Sequence, residues 1–146
     1  MDPISVIRII SVGFLLTVEG FRDLRKKEIG LILPIINAII SVFLLPAGKD
    51  VGIISMGIAF ALGLIIILFS FLTNESIGLG DGIIICSTGL MLGWKKNMIM
   101  FFLACFICAV LSAVLLALKK VDKKSKIPFV PFMVPAFLLT VVFTGI

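Results

Sequence analysis

Residues 51–72 contain no charged side chain and are mostly Ile, Leu, Phe, Ala and Gly. About 20 such residues cross the hydrocarbon core of a bilayer as a helix. No water in that layer can satisfy peptide groups, so a spanning segment must close its own hydrogen bonds, as a helix does. Five further apolar runs accompany this one, roughly 4–21, 29–45, 82–94, 98–118 and 127–146. Hydrophobic residues make up 61% of the 146-residue chain, whereas a water-soluble domain is about half apolar. The expected fold is an all-α integral membrane protein: one domain, 1–146, built as a bundle of about six transmembrane helices. The fourth run is short. About 13 helical residues rise only about 20 Å, so this segment needs shelter from its neighbours, an off-centre position, or a start below the membrane surface.

The runs are joined by short segments that carry most of the charge. Arg22, Arg25, Lys26, Lys27 and the basic stretch 119–126 fall on one side of the alternating topology. Only Lys49, Lys95 and Lys96 fall on the other. Cytoplasmic loops carry the excess of Lys and Arg. The first, third and fifth connections are therefore expected to face the cytoplasm, with both termini outside, in a multi-pass protein of the cell membrane. The net charge of +5 is accounted for by these loops. It implies contact with membrane lipid and no nucleic-acid partner. No basic region followed by a cleavage site opens the chain, so no removable signal peptide is expected.

Small residues recur at helical spacing. Gly82, Cys86, Gly89 and Gly93 form one stripe in the fourth run, with Gly89 and Gly93 as a GxxxG. Ala104, Cys108 and Ser112 form another in the fifth. Such stripes let helices approach closely in lipid. Cys86, Cys105 and Cys108 read as small packing residues, because the lone CxxC has no second pair to complete a zinc site. Pro34 sits in the first turns of the second run, where a missing N–H does least harm.

The chain contains no histidine, which removes His-based triads and the usual imidazole proton shuttle. Acid–base chemistry near neutral pH then falls to carboxylates, cysteines or lysines. Asp2, Glu28, Asp50, Glu75 and Asp122 read as solvated loop charges. Three acids remain. Asp81 follows Gly78-Leu79-Gly80 between two apolar runs, and an ionisable residue at membrane depth marks a functional site by default. It also fits a helix N-cap, where free N–H groups favour an anion. Asp23, beside Arg22 and Arg25 on the first connection, reads either as a solvated ion pair or as a second functional acid. Glu19 lies one helical turn before it on the same face, either snorkelling to an arginine or acting beside Asp23. Topology puts Asp23 and Asp81 at one membrane face. Two carboxylates sharing a proton are the equipment of an aspartyl protease.

Three motifs carry a resemblance. Gly78-Leu79-Gly80-Asp81 is similar to the GxGD signature of intramembrane aspartyl proteases, and with Gly89-Leu90-Met91-Leu92-Gly93 it resembles the type IV prepilin peptidase pattern GxGDxKLxxxxGxxLG. The segment from Asp23 through Arg25 to Ile29 resembles that family's D-x-R-x-x-x-I motif. Ile127-Pro128-Phe129-Val130-Pro131-Phe132 resembles its IPFxPF segment. Two departures stand out: Gly30-Leu31 where the family often has Pro-Asn, and Ile83 in place of a lysine. No methyltransferase region with paired CxxC motifs precedes the runs, so the likeness is to the small peptidase-only members of tight-adherence (Flp) pilus systems.

The resemblance implies an endopeptidase that cuts the leader of prepilin-like precursors at the cytoplasmic face. Asp23 and Asp81 would be the catalytic pair, with no metal or cofactor. Gly78 and Gly80 would give close access, Glu19 would be a candidate contact for a basic leader, and Arg25 would be a supporting motif residue. The archaeal preflagellin peptidases share this chemistry. Without the resemblance, the same acids also fit an ion path in a small transporter or channel subunit, or a non-enzymatic assembly scaffold.

Overall fold

The computed structural model describes residues 3–26, 29–46, 51–73, 78–118 and 128–145. Asp2, Lys27, Glu28, Lys49, Asp50, Glu75, Asp122, Ile127 and the basic stretch 119–126 lie outside the described residues, and so do their expected roles. The described residues are all-helical: α1 (Pro3–Lys26), α2 (Ile32–Phe43), α3 (Ile53–Leu72), α4 (Leu79–Ala117) and α5 (Val130–Thr144). α1, α3 and α4 are long and apolar enough to cross a membrane, while α2 and α5 are shorter apolar helices.

Five helices stand where six runs were expected, because the fourth and fifth runs are both inside α4. They are nevertheless separate rods. Gly93 interrupts the helix with φ 75° and ψ 170°, a left-handed conformation that glycine adopts without a Cβ penalty. Asn97 Nδ2 donates to the Ile85 carbonyl at 3.2 Å, and Thr88 Oγ1 donates to Asn97 Oδ1 at 2.9 Å. In a straight helix residues 85 and 97 would be about 18 Å apart. The chain therefore doubles back at Gly93, and Asn97 staples the two halves. Gly93 is therefore a turn residue as well as a member of the packing stripe.

The first half of α4 is sheltered, as its shortness demands: Ile84, Ile85, Ser87, Thr88 and Met91 are all buried. α4 packs against all four other helices. Its small-residue stripe faces α3, where a matching stripe runs antiparallel. The Cα of Gly82 lies against Gly63 and Ile67, Cys86 against Gly63, Gly89 against Ala59, and Gly93 against Ser55. Cys86 thus packs as a small residue. In the other expected stripe, Ala104 is fully buried and Cys108 and Ser112 only partly so.

Polar groups share the interior of this bundle with its apolar core, and large apolar groups also cover its outside, unlike a water-soluble fold. Ile54, Leu68 and Phe71 of α3 are exposed, whereas Ser41, Thr88 and Asn97 are buried. A lipid surround accounts for this arrangement, since buried polar groups then find partners in protein. Ser87 Oγ donates to the Pro34 carbonyl at 2.8 Å and Ser41 Oγ to the Leu90 carbonyl at 2.6 Å, which ties α2 to α4. Pro34 is the third residue of α2, within the turn whose N–H groups have no intrahelical acceptor.

Arg8 is buried in α1 and donates to the carbonyls of Leu44, at 3.2 Å, and Met91, at 3.4 Å. Leu44 is the C-cap of α2, and Met91 closes the first half of α4. A cation is favourable at such carbonyl-rich helix ends. Arg8→Met is expected to lower stability by about 1.5–3 kcal/mol, the usual worth of hydrogen bonds made by a charged group. Unfolding titrations in detergent micelles check this.

Candidate active site

Asp23 meets the start of α5 at one end of the bundle, and Asp81 lies near enough to feel its charge. Sequence reading put Asp23 at the cytoplasmic end of the first helix, where the first connection begins. In the structure α1 continues through Arg22-Asp23-Leu24-Arg25-Lys26, so Asp23 is held on a helix. Leu, Arg and Lys are good helix formers, and Arg25 and Lys26 complement the C-terminal end of the dipole. Asp23 is only 6% exposed, which corrects the solvated-ion-pair reading. Its Oδ2 accepts the backbone N–H of Val130 at 3.2 Å, with a second backbone contact from Phe129. Val130 is the first residue of α5 and Phe129 its N-cap. An aspartate on α1 therefore caps α5, whose free N–H groups favour an anion.

This contact sets a stability test. Asp23→Asn retains an acceptor for Val130, whereas Asp23→Leu leaves a buried N–H unpaired. Asp23→Leu is expected to be less stable than Asp23→Asn by about 1–3 kcal/mol, measured by unfolding titration of both variants.

Asp81 is not the N-cap of α4; Gly78 is. Asp81 is the third residue of the helix. Its backbone N–H donates to the Gly78 carbonyl at 3.1 Å, and its carboxylate turns back to the Gly78 backbone. A Cβ on Gly78 would lie 2.9 Å from Asp81 Oδ2, so this glycine makes room for the carboxylate. Asp81 is half-buried and close enough to Asp23 for the charge of one to act on the other. Each acid faces the N-terminal end of a helix, its own in the case of Asp81 and α5 in the case of Asp23.

The supporting residues are placed differently from one another. Ile29, which ends the first aspartate motif, fills the space beside Gly80: a Cβ there would meet the Ile29 side chain at 2.5–3.0 Å. The access expected at Gly80 is thus taken by Ile29. Glu19 is near Arg22 as expected, with Oε1 3.6 Å from Nη1, but it is fully buried and does not snorkel. Its Oε2 accepts the Gly30 N–H at 2.7 Å. Arg25 is exposed in the last turn of α1 and makes no ion pair with Asp23 or Asp81 among the described residues. An apolar groove of about 220 Å³ opens between α1 and α5 beside this end, walled by Gly20, Phe21, Leu24, Pro131, Val134 and Pro135, with Thr17 at its margin.

Two contributors escaped sequence reading. The Val130 N–H is a backbone group, and only the IPFxPF motif pointed to its position. The Ser55, Ala59 and Gly63 stripe on α3 was open to the same four-residue spacing rule that exposed its partner on α4.

A sequence model of the type IV leader peptidase family matches residues 9–113. The chain belongs to the type IV leader peptidase family. Comparison with curated proteins and with solved structures found no match. As a member of this family the protein is a peptidase, and its apolar helices fit a membrane peptidase. The stretch matched to the leader peptidases contains Glu19, Asp23, Gly78, Gly80 and Asp81, and ends before α5.

Proposed function

We propose that the protein is an aspartic endopeptidase that removes the leader of type IV prepilin-like precursors at the cytoplasmic membrane face. Asp23 and Asp81 are its catalytic pair. The observation that supports this reading is that Asp81 lies near enough to Asp23 to feel its charge, the two acids coming from separate motifs of a leader-peptidase chain without histidine. Two acids brought together for catalysis hold one proton between them more readily than none. The ionised carboxylate takes a proton from water as it attacks the scissile carbonyl. The protonated carboxylate donates to the carbonyl oxygen. Collapse of the tetrahedral intermediate then expels the amine, which leaves with a proton, and no acyl-enzyme forms.

The distribution of Lys and Arg along the sequence supports a cytoplasmic location for this end. The partners are the precursor protein and membrane lipid. The precursor has a basic leader followed by an apolar segment, so the cut lies where the chain enters the membrane, the level at which the acids are proposed to stand.

The test is reconstitution in liposomes with such a precursor. Cleavage between leader and apolar segment is expected, and mass spectrometry of the two products locates it. The reading is overturned if either Asp23→Asn or Asp81→Asn cleaves at the unmodified rate. Ion flux without cleavage would favour a transport role instead.

A further inference from the structure

Glu19 is a fully buried carboxylate to which the chemistry above assigns no step. Taking a carboxylate out of water costs several kcal/mol unless partners restore what water supplied. Oε2 is satisfied by the Gly30 N–H at 2.7 Å. Oε1 has no hydrogen-bond partner and only Arg22 at 3.6 Å, itself 46% exposed. A leucine would fill the site at lower cost, so packing alone does not account for an acid there.

What the acid holds is a connection. Gly30 is crowded by the ends of two side chains, Arg22 and Glu19. A Cβ would strike the Arg22 guanidinium and lie 2.9 Å from Glu19 Oε1, and proline would have no N–H to give. The residue before it, Ile29, sets its side chain against Gly80. Gly80 immediately precedes Asp81. Meanwhile Glu19 is one turn from Asp23 on the same helix. An unbroken path thus runs from Asp23 through Glu19, Gly30, Ile29 and Gly80 to Asp81.

We propose that Glu19 is a positioning residue: by gripping the Gly30 N–H it presses Ile29 onto Gly80 and so sets where Asp81 stands relative to Asp23. The inference rests on the proposed peptidase reading for its catalytic consequence, but not for the contact itself. It assigns Glu19 an internal partner in place of a basic leader.

Two measurements test it. In the first, cleavage kinetics are compared for Glu19→Ala and Glu19→Gln. Glu19→Ala loses the grip, and kcat is expected to fall about 10- to 100-fold, since a misplacement near 1 Å costs up to about 10²-fold. KM is expected to stay within about twofold. Glu19→Gln keeps an acceptor for Gly30, and the exposed Arg22 is left to solvent, so most of kcat should return. An unchanged kcat in Glu19→Ala overturns the proposal, as does a Gln variant as slow as the Ala variant. A rise in KM at constant kcat also overturns it, by showing that Glu19 meets the substrate.

The second measurement needs no activity. Ile29→Cys is introduced alone in a chain whose Cys86, Cys105 and Cys108 are replaced by alanine. Set against Gly80, its thiol is expected to react slowly with a maleimide in detergent micelles, and several-fold faster when Glu19→Ala is added. Equal labelling rates with and without Glu19 overturn the positioning role. Labelling as expected, beside an unsubstituted protein that cleaves nothing, would overturn the peptidase reading and leave the grip intact.

Discussion

Asp81→Asn is expected to lower the rate of leader cleavage by about 10²–10⁴-fold, the range associated with loss of a positioned general acid or base. The substitution is close to isosteric. The amide oxygen can still face the Gly78 backbone, and removing one of two neighbouring charges relieves repulsion rather than creating it. Stability should therefore hold while activity falls. This separation distinguishes a chemical role from the helix-starting role that the position of Asp81 also allows. The measurement is single-turnover cleavage of a liposome-embedded precursor beside an unfolding titration of the same preparation. A variant that loses stability along with rate would show Asp81 acting mainly as a brace for α4. A variant that keeps its rate would remove Asp81 from the chemistry altogether. Asp23→Asn should behave alike, because its amide oxygen still accepts from Val130.

Gly63→Val is expected to have the largest effect on folding, about 3 kcal/mol or more, at the upper end of overpacking penalties. A Cβ at Gly63 would lie 2.6 Å from the backbone nitrogen of Cys86 and 2.8 Å from its Cα. Backbone cannot rotate aside as a side chain can, so the helices must separate. α3 has no other helix to lean on, because among the described residues it packs against α4 alone. Separation therefore removes all its interhelical packing, and the half-buried start of α4 that carries Asp81 loses its support. Gly57→Val is the control: it lies on the same helix, yet nothing stands within 4 Å of a Cβ there. If both variants unfold at the same detergent or denaturant concentration, the α3–α4 interface described above is wrong.

The helices themselves were legible in the sequence because lipid imposes a single rule. Peptide groups must pair within a segment, so each long apolar run becomes a helix. Buried packing was legible where it follows helical spacing, as in Gly82, Cys86 and Gly89. Gly93 was legible only in part, for a physical reason. Glycine suits both a close helix contact and a positive φ; its spacing from Gly89 shows the first use, and the chain makes both. Helix ends were less legible than helix centres. Asp23 reads as a solvated ion pair because charged residues end an apolar run, whereas the helix extends through them and buries it.

Composition and order determined that this chain is a helical membrane peptidase of the type IV leader peptidase family, and that, without histidine, Asp23 and Asp81 are the acids to examine. Those conclusions depend on residue types and motifs, which sequence states directly. Only the tertiary structure decided which backbone N–H groups the acids face, that Ile29 occupies the space beside Gly80, and that Glu19 holds Gly30. Apart from the local turn of Asp81 to Gly78, each of these is a contact between separate helices or connections. Such contacts depend on how whole helices pack, and a separation of one side-chain width decides whether a buried carboxylate meets solvent, a substrate or a backbone amide.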